Sequence, residues 1–189
     1  TAQRLGWGGA DLAYLRVAAM LHDVGKVALP DQILRKPGPL DSAEYEEIKV
    51  HPVVGADFVN RVDGLGPIAV WVKHSHEHYD GSGYPDGLAG EEIPIEARIV
   101  TCCDAFSAMT TTRSYRKALT QEVAFQELRD KSGIQFHPEC VEALIRALDK
   151  RGEVHGAGYE AEVEFESAPE AGVGSAGLGD LVETREANA

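Results

Sequence analysis

Histidines and aspartates recur in five short stretches of this chain, all between residues 22 and 110. Imidazole nitrogens and carboxylate oxygens are typical donors for divalent metal ions. Each stretch alone is a weak signal, but their order and spacing, taken together, predict one metal site. The stretches are His22-Asp23-Val24-Gly25-Lys26, His51-Pro52, His74-Ser75-His76-Glu77, Asp80-Gly81-Ser82-Gly83-Tyr84-Pro85, and Asp104 followed by Ala108-Met109-Thr110.

The pair His22-Asp23 allows two interpretations. Adjacent residues of a helix point about 100° apart, so a metal ion bound by both must lie beyond the last turn of a helix. The alternative is a surface ion pair at a helix end, where a charged histidine suits the helix dipole. Gly25 and Lys26, which follow the pair, and the apolar residues 18–21, which precede it, favour the metal site.

Asp104 lies in the middle of a predicted helix that has apolar or small residues on both faces. We expect this helix to be buried all round, and the carboxylate with it. A buried carboxylate requires an ion pair, hydrogen bonds or a metal ion. Its mid-helix position excludes helix capping, which leaves a metal ion or a salt bridge to an arginine.

The elements that must position these residues are predicted to be helices. Apolar periodicity, capping residues and prolines indicate seven of them, and we expect an all-α fold. Four glycines and two turn signals predict an ordered loop over residues 80–93. The first three expected helices are one capped by Asp11 and ending near Gly25, one from an Asp41–Glu44 capping box to about Val50, and one that begins at Pro52. The other four are one over residues 67–73, one that begins at Pro94, one over 120–131 that is capped by Thr120, and one over 138–150.

Composition indicates a soluble protein whose cysteines are reduced. The chain of 189 residues is 43% apolar and 26% charged, values that are ordinary for a globular domain. No apolar run approaches the roughly 20 residues that span a bilayer, and no secretory signal opens the sequence. Three cysteines, two of them adjacent, indicate free thiols rather than a disulfide framework. These features predict a cytoplasmic location.

The net charge of −13 is concentrated at one end of the chain. Residues 152–189 hold nine acidic residues and one arginine, and they are rich in glycine and alanine. This composition predicts a disordered acidic tail, following a single folded domain over residues 1–151. No positive stripe suits a nucleic-acid polymer, so that class of partner is excluded.

The motif His-Asp-x-Gly-Lys at residues 22–26 is the signature of the HD metal-dependent phosphohydrolases. The longer pattern, from about Leu5 to Leu148, resembles the HD-GYP family of bacterial cyclic di-GMP phosphodiesterases. The resemblance implies an HD-type helical bundle with a long ordered loop around Gly83-Tyr84-Pro85. The motifs that carry it are Leu29-Pro30, Leu34, Lys36-Pro37-Gly38, Leu40, Glu44, His51-Pro52, Gly55, His76-Glu77, Asp80-Gly81, Gly83-Tyr84-Pro85, Arg98-Ile99, Asp104, Ala108-Met109-Thr110, Arg113 and Tyr115-Arg116.

Carried over by position, the resemblance also implies a site. Two divalent ions, Fe or Mn with Ni or Co as alternatives, would share Asp23 and hold a bridging hydroxide as nucleophile. Lys26 and Asp23 would be the catalytic residues, with Lys26 meeting a phosphate oxygen. The implied metal ligands are His22, Asp23, His51, His76 and Asp104, and the implied substrate-binding residues are Tyr84, Arg113 and Arg116.

The sequence departs from the family pattern in three ways. Ser75 stands where the family usually has a histidine, and His74, one place earlier, would need a backbone shift to replace it. Ser107 stands where a second aspartate is common. A further family histidine, on a helix before His22, is not found, so we expect this chain to be a fragment whose parent carries that helix and a sensory or receiver domain.

These observations leave more than one function open. The first is hydrolysis of cyclic di-GMP to linear pGpG, to GMP or to both, with a GGDEF-type protein as a possible partner. The alternative is a catalytically weak module that acts as a cyclic dinucleotide sensor or a protein-interaction domain, as Ser75 and Ser107 suggest. A third is another HD-type nucleotide phosphohydrolase, which Tyr84, Arg113 and Arg116 disfavour.

Overall fold

Residues 1–6, 8–112, 117–151 and 155–156 are described by the computed structural model of this chain. In these residues the chain forms eight α-helices, three short 3₁₀ segments and no β-strand. The prediction of an all-α fold is therefore confirmed. The α-helices are α1 Gly9–Leu21, α2 Asp31–Leu34, α3 Ser42–Ile48, α4 His51–Asn60, α5 Gly66–Lys73, α6 Ile95–Thr110, α7 Gln121–Asp130 and α8 Pro138–Arg151; the 3₁₀ segments are Ala2–Leu5, Val24–Ala28 and Gly90–Glu92.

Capping side chains begin two of these helices, as predicted. The Asp41 carboxylate accepts hydrogen bonds from the backbone N–H groups of Ala43 and Glu44, and the Glu44 carboxylate accepts one from the N–H of Asp41. This capping box satisfies donors that would otherwise be unpaired at the start of α3. The Thr120 hydroxyl does the same at α7, where it accepts from the N–H of Val123 at 3.4 Å.

The prediction that Asp11 caps α1 is wrong. The helix begins at Gly9, and Asp11 lies in its first turn, where a carboxylate still suits the helix dipole. The helix also ends at Leu21 rather than near Gly25, since the chain turns into the tighter segment Val24–Ala28. The residues at 22 and 23 therefore lie just beyond the helix end, where a metal ion bound by both was expected.

Two large apolar clusters hold the helices together, and α1 contributes to both. The larger cluster is formed mainly by α6, α7 and α8, with Leu15 of α1 packed among them. The second is formed by α1, α4 and α5 and includes the fully buried Ile68 and Val72. Ala18 of α1, about one turn after Leu15, belongs to this second cluster. The end of α1 is therefore fixed between the two halves of the fold.

The predicted acidic tail over 152–189 lies outside the described residues, except for His155 and Gly156. These two residues lie against the start of α7. The backbone N–H of His155 donates to Oε1 of Gln121 at 2.9 Å, and Gly156 pairs with Thr120. These two positions are therefore joined to the helical part of the chain.

Two expectations from composition can be compared with the structure. The three cysteines are free thiols, as their odd number predicted. Burial raises the pKa of Cys102 well above its ordinary value and that of Cys140 to about 12, so neither is a ready thiolate. Among the described residues, every helix is too short or too polar to cross a bilayer.

Candidate metal centre

The five residues that the family resemblance implies as metal ligands come together at one place in the fold. His22 and Asp23 follow α1, His51 is the first residue of α4, His76 follows α5, and Asp104 lies in α6. Each of the five has a side-chain nitrogen or oxygen within 4 Å of another member of the group. Because they come from four separate elements, the packing of those elements determines the geometry of the site.

Two glycines allow the segment Val24–Ala28 to pack directly on α4. A Cβ atom placed on Gly25 would lie 2.5 Å from the backbone nitrogen of Gly55 and closer still to the carbonyl oxygen of His51. Real Cβ atoms essentially never approach other atoms this closely, so a larger residue at position 25 would push the two segments apart. This backbone contact brings Asp23 to His51.

The two carboxylate oxygens of Asp23 face different sets of side chains. Oδ1 lies 3.3 Å from Nε2 of His51 and 3.7 Å from Nε2 of His76. Oδ2 lies 3.5 Å from Nε2 of His22 and 2.7 Å from Nζ of Lys26. A carboxylate with donors on both sides is suited to lie between two cations.

Asp104 lies on the His22 side of the centre, with its Oδ1 3.6 Å from Nε2 of His22. Burial would raise the pKa of Asp104, but the neighbouring imidazole of His22 outweighs it and holds the pKa below its ordinary value. The Asp104 side chain is 25% exposed, so the prediction of full burial is wrong: its carboxylate faces the other polar groups of the centre. Within the described residues its ion-pair partner is this histidine, and no arginine pairs with it.

Backbone carbonyls fix the orientation of two of the imidazole rings. Nδ1 of His22 lies 2.8 Å from the carbonyl oxygen of Ala19, and Nδ1 of His51 lies 2.7 Å from that of Ile48. A carbonyl can only accept, so Nδ1 carries the hydrogen in both rings and Nε2 is turned toward the centre. This is the usual arrangement for metal-binding histidines, whose second nitrogen donates to a carbonyl or carboxylate.

Two atoms at the centre are buried and have no hydrogen-bond partner among the described residues, Nε2 of His22 and Oδ1 of Asp23. The donor atoms of Asp23, His51 and His76 lie within 4.8 Å of one another, so one ion could contact all three. Buried polar atoms are costly unless they are paired. Cations bound at this centre would give both the nitrogen of His22 and the oxygen of Asp23 a partner, so the residues present fit a metal centre.

The protonation states at the centre also suit a metal. Burial would raise the pKa of Asp23, but the neighbouring imidazoles of His51 and His76, with the charge of Lys26, hold it far below its ordinary value. Burial lowers the pKa of His76 to about 4, which keeps the ring neutral at pH 7. For His22, the nearby carboxylates of Asp104 and Asp23 outweigh burial and raise the pKa to about 9. An ion that binds His22 must therefore displace a proton.

Lys26 is directed at the same centre. Its side chain is only 4% exposed, and Nζ donates to Oδ2 of Asp23 at 2.7 Å. The sequence predicted that this ammonium meets a substrate phosphate, and in this structure its partner is the central carboxylate. An ammonium has three N–H donors, so two remain beyond the one used here.

His74 and Ser75 are turned away from the metal centre. Nε2 of His74 lies 3.0 Å from Oδ2 of Asp86, which also accepts from Nζ of Lys73. The Ser75 hydroxyl donates to the carbonyl of Val72 at 2.9 Å. His74 therefore does not take the place of the histidine that Ser75 replaces, as the helical geometry predicted.

Glu77 ties the loop over 80–93 to the centre, a role that the sequence analysis did not assign. Its side chain is 2% exposed, and its carboxylate accepts from the backbone N–H of Asp86 at 2.8 Å and of Leu88 at 3.2 Å. Gly83 lies so close to the backbone of Glu77 that an added Cβ would be 2.6 Å from its Cα. The loop is thereby held next to the preceding residue, His76.

Tyr84, which belongs to this hydrogen-bonded loop, lies against the metal centre. Its ring is buried and lies parallel to that of His76, with centroids 5.2 Å apart. The ring of Tyr45 from α3 meets Tyr84 edge-on at 6.3 Å. Tyr45 and Gln135, which comes from the turn before α8, were missed in the sequence because no motif or period marks them.

Three further residues that the sequence analysis named are Ser107, Arg113 and Arg116. Ser107 is exposed on α6, three residues after Asp104. Arg113 and Arg116 lie outside the described residues, so their predicted role as substrate-binding residues stays a prediction.

Known proteins resemble this chain in sequence and in fold. A family model described as HD domain matches residues 1–140. The chain therefore belongs to the HD domain family, and within it the chain is of the HD-GYP type. It is 42% identical over 159 residues to the cyclic di-GMP phosphodiesterase response regulator RpfG of Xanthomonas campestris, a match that covers 82% of this chain and 42% of that protein. It is 40% identical over 149 residues to a cyclic di-GMP phosphodiesterase of Thermotoga maritima, covering 77% of this chain and 40% of that protein.

The chain thus spans about two fifths of the length of these two relatives. Among solved structures, a cyclic GMP-AMP specific phosphodiesterase of Vibrio cholerae superposes with a TM-score of 0.62 at 22% identity, covering 80% of this chain and 41% of that one. At this identity the likeness shows the fold. The prediction of an HD-type helical bundle is confirmed.

Proposed function

We propose that this domain is a metal-dependent phosphodiesterase that hydrolyses cyclic di-GMP to linear pGpG, to GMP or to both. The observation that carries the proposal is the position of Asp23, whose two oxygens face His51 with His76 on one side and His22 on the other. The substrate class is supported by the names of the two relatives, at 42% and 40% identity.

The residues that would hold two ions are His22, Asp23, His51, His76 and Asp104. Support for this set comes from the unpaired nitrogen of His22 and the unpaired oxygen of Asp23. Histidine and carboxylate donors without thiolates suit Fe or Mn, with Ni or Co as alternatives. When bound, such ions supply Lewis acidity toward the phosphate and lower the pKa of an attacking water.

The side chains of this chain would then orient the substrate and complement its charge. Asp23 stays ionised, because the surrounding imidazoles and Lys26 hold its pKa low. We assign the remaining N–H donors of Lys26 to a non-bridging phosphate oxygen, since charge-assisted hydrogen bonds are the stronger kind. Tyr84, stacked on His76, would form one wall of the pocket for the adjacent base. Arg113 and Arg116 are assigned to the phosphate or the guanine by resemblance.

A second candidate is a cyclic dinucleotide sensor or a protein-interaction module with weak turnover. The observation that favours it is Ser75, which stands where the family usually has a histidine and whose hydroxyl donates to the carbonyl of Val72. The centre therefore has one histidine fewer than the family pattern. RpfG is named a response regulator, which supports our proposal that the parent of this domain carries a receiver or other sensory domain. A GGDEF-type partner is proposed from the family resemblance alone.

The test is turnover of cyclic di-GMP by the chain loaded anaerobically with Fe(II) or Mn(II), followed by chromatography. We expect Asp23→Ala to abolish product formation. Asp57→Ala, at an exposed carboxylate on α4 that pairs with Arg61 alone among the described residues, should leave it unchanged. Binding of cyclic di-GMP by the wild type without any product would reject the hydrolase in favour of the sensor.

A further inference from the structure

A small polar cavity opens beside the metal centre, with a volume of about 30 Å³. His76 and Asp104 of the centre form one side of it, and Tyr45, Tyr84 and Gln135 contribute to the other. A group that enters this cavity is therefore next to the proposed reacting phosphate. Its volume is that of one or two water molecules, so it admits a small polar group and not a purine ring.

Gln135 lines this cavity. The residue is 8% exposed, and among the described residues its buried Oε1 has no hydrogen-bond partner. Native proteins rarely leave a buried amide oxygen unpaired, because its desolvation is not repaid. Because Gln135 lines the cavity, a group that enters it is placed to supply this donor.

The position of Gln135 is fixed by its backbone. Its N–H donates to the carbonyl of Lys131 at 2.9 Å, and its carbonyl accepts from the N–H of Tyr79 at 3.2 Å. The neighbouring carbonyl of Ile134 accepts from the N–H of Asp80 at 2.8 Å. The turn that carries Gln135 is thus joined to the start of the loop that carries Tyr84, so the two side chains keep a constant separation.

The chemistry of the cavity selects among the groups of a cyclic dinucleotide. A carbonyl oxygen accepts and cannot donate, so the entering group must be an N–H or O–H donor. Guanine has an exocyclic amine at C2 beside the N1–H, a small donor that matches the volume of the cavity. Hypoxanthine has the same ring and the same N1–H but lacks this amine.

We propose that Gln135 is a specificity-determining residue that accepts a hydrogen bond from the 2-amino group of a guanine next to the scissile phosphate. The proposal rests on the proposed function, since it names the group of the substrate that this domain reads. A site built to pair with a polar group discriminates against an analogue that lacks it, because its own acceptor is then left buried and unpaired.

The test compares cyclic di-GMP with cyclic di-IMP, which differs only in lacking the two 2-amino groups. With the metal-loaded chain, we expect kcat/KM for cyclic di-GMP to exceed that for cyclic di-IMP by at least about tenfold. In Gln135→Met, which keeps the length of the side chain and removes the amide, the ratio should fall to about one, because only cyclic di-GMP loses a partner. Gln126→Met, on the exposed face of α7, should retain the wild-type ratio.

Each outcome decides the matter. A merely structural role for Gln135 would lower both rates together and leave the ratio unchanged, which would overturn the proposal. A wild-type ratio near one would overturn it without any variant, so the test does not depend on the folding of Gln135→Met. If the wild type hydrolyses neither substrate, the proposed function is rejected, and this inference is rejected with it. If the wild type hydrolyses both with similar kcat/KM, only the role of Gln135 is rejected.

Discussion

The ring of Tyr84 is parallel to the imidazole of His76, with 1° between the two planes and 5.2 Å between the centroids. Tyr84 belongs to the loop over 80–93, and His76 belongs to the metal centre. The loop therefore contributes to the orientation of a proposed ligand as well as to the pocket wall. Glu77, which follows His76 in the sequence, holds this arrangement because its carboxylate accepts hydrogen bonds from two backbone N–H groups of the loop.

We expect Tyr84→Ala to destabilise the domain by about 3 kcal/mol, since a buried aromatic ring is removed and a cavity is left behind. Tyr84→Phe keeps the stacked ring and should lie within about 1 kcal/mol of the wild type. Urea denaturation of both variants measures the difference. Equal stabilities for the two variants would show that the ring does not pack as described.

Gly25→Ala should destabilise the domain by at least about 2 kcal/mol, because the new methyl group overlaps the backbone of α4. Gly66→Ala is a matched control, since among the described residues its Cβ would meet only Oδ1 of Asn60, at 3.8 Å. We expect the control to lie within about 0.5 kcal/mol of the wild type. Denaturation midpoints of the two variants make the comparison, and similar midpoints would contradict the close backbone contact.

Glu77→Gln should loosen the loop, because an amide nitrogen would replace one of two acceptors that face backbone N–H groups. The expected loss of stability is about 2 kcal/mol. Hydrogen exchange of the Asp86 and Leu88 amides should become faster. Glu46→Gln, at an exposed carboxylate paired with Lys49, serves as the control, and unchanged protection of the two loop amides in Glu77→Gln would rule out this role.

Removal of single ligands should change the metal content in steps. The two oxygens of Asp23 face separate groups, so we expect His22→Ala and His51→Ala each to lose one of two ions and Asp23→Ala to lose both. Elemental analysis of protein loaded under anaerobic conditions gives the counts. Loss of both ions in His22→Ala would contradict the assignment of this histidine to one side of the carboxylate.

Some of the fold could be predicted from sequence because the signals are local. The Asp41–Glu44 pair has the spacing of a capping box, and the structure shows both of its hydrogen bonds. The four-residue helix α2 could not be predicted, since it is too short for an apolar period to appear. Asp11 is a good capping type, but the helix begins two residues earlier, and the sequence alone does not distinguish a cap from a first-turn acid.

The site shows the same division between local and distant information. The convergence of His22, His51 and Asp104 could be predicted only through a family resemblance, because it depends on the long-range packing of α4 on the segment Val24–Ala28 and of α6 on α1. Gln135 could not be identified at all. Its significance depends on an unpaired oxygen facing a cavity, and a sequence does not show which polar atoms lack partners.

The contact between Gly25 and Gly55 has a consequence for protein engineering. Where side chains separate two elements, a designer can restore a disturbed spacing by choosing larger or smaller residues. Here main-chain atoms touch directly, so compensating substitutions have nothing to act on. A transplant of this centre into another scaffold would have to carry the segment Val24–Ala28 and α4 together as one rigid module.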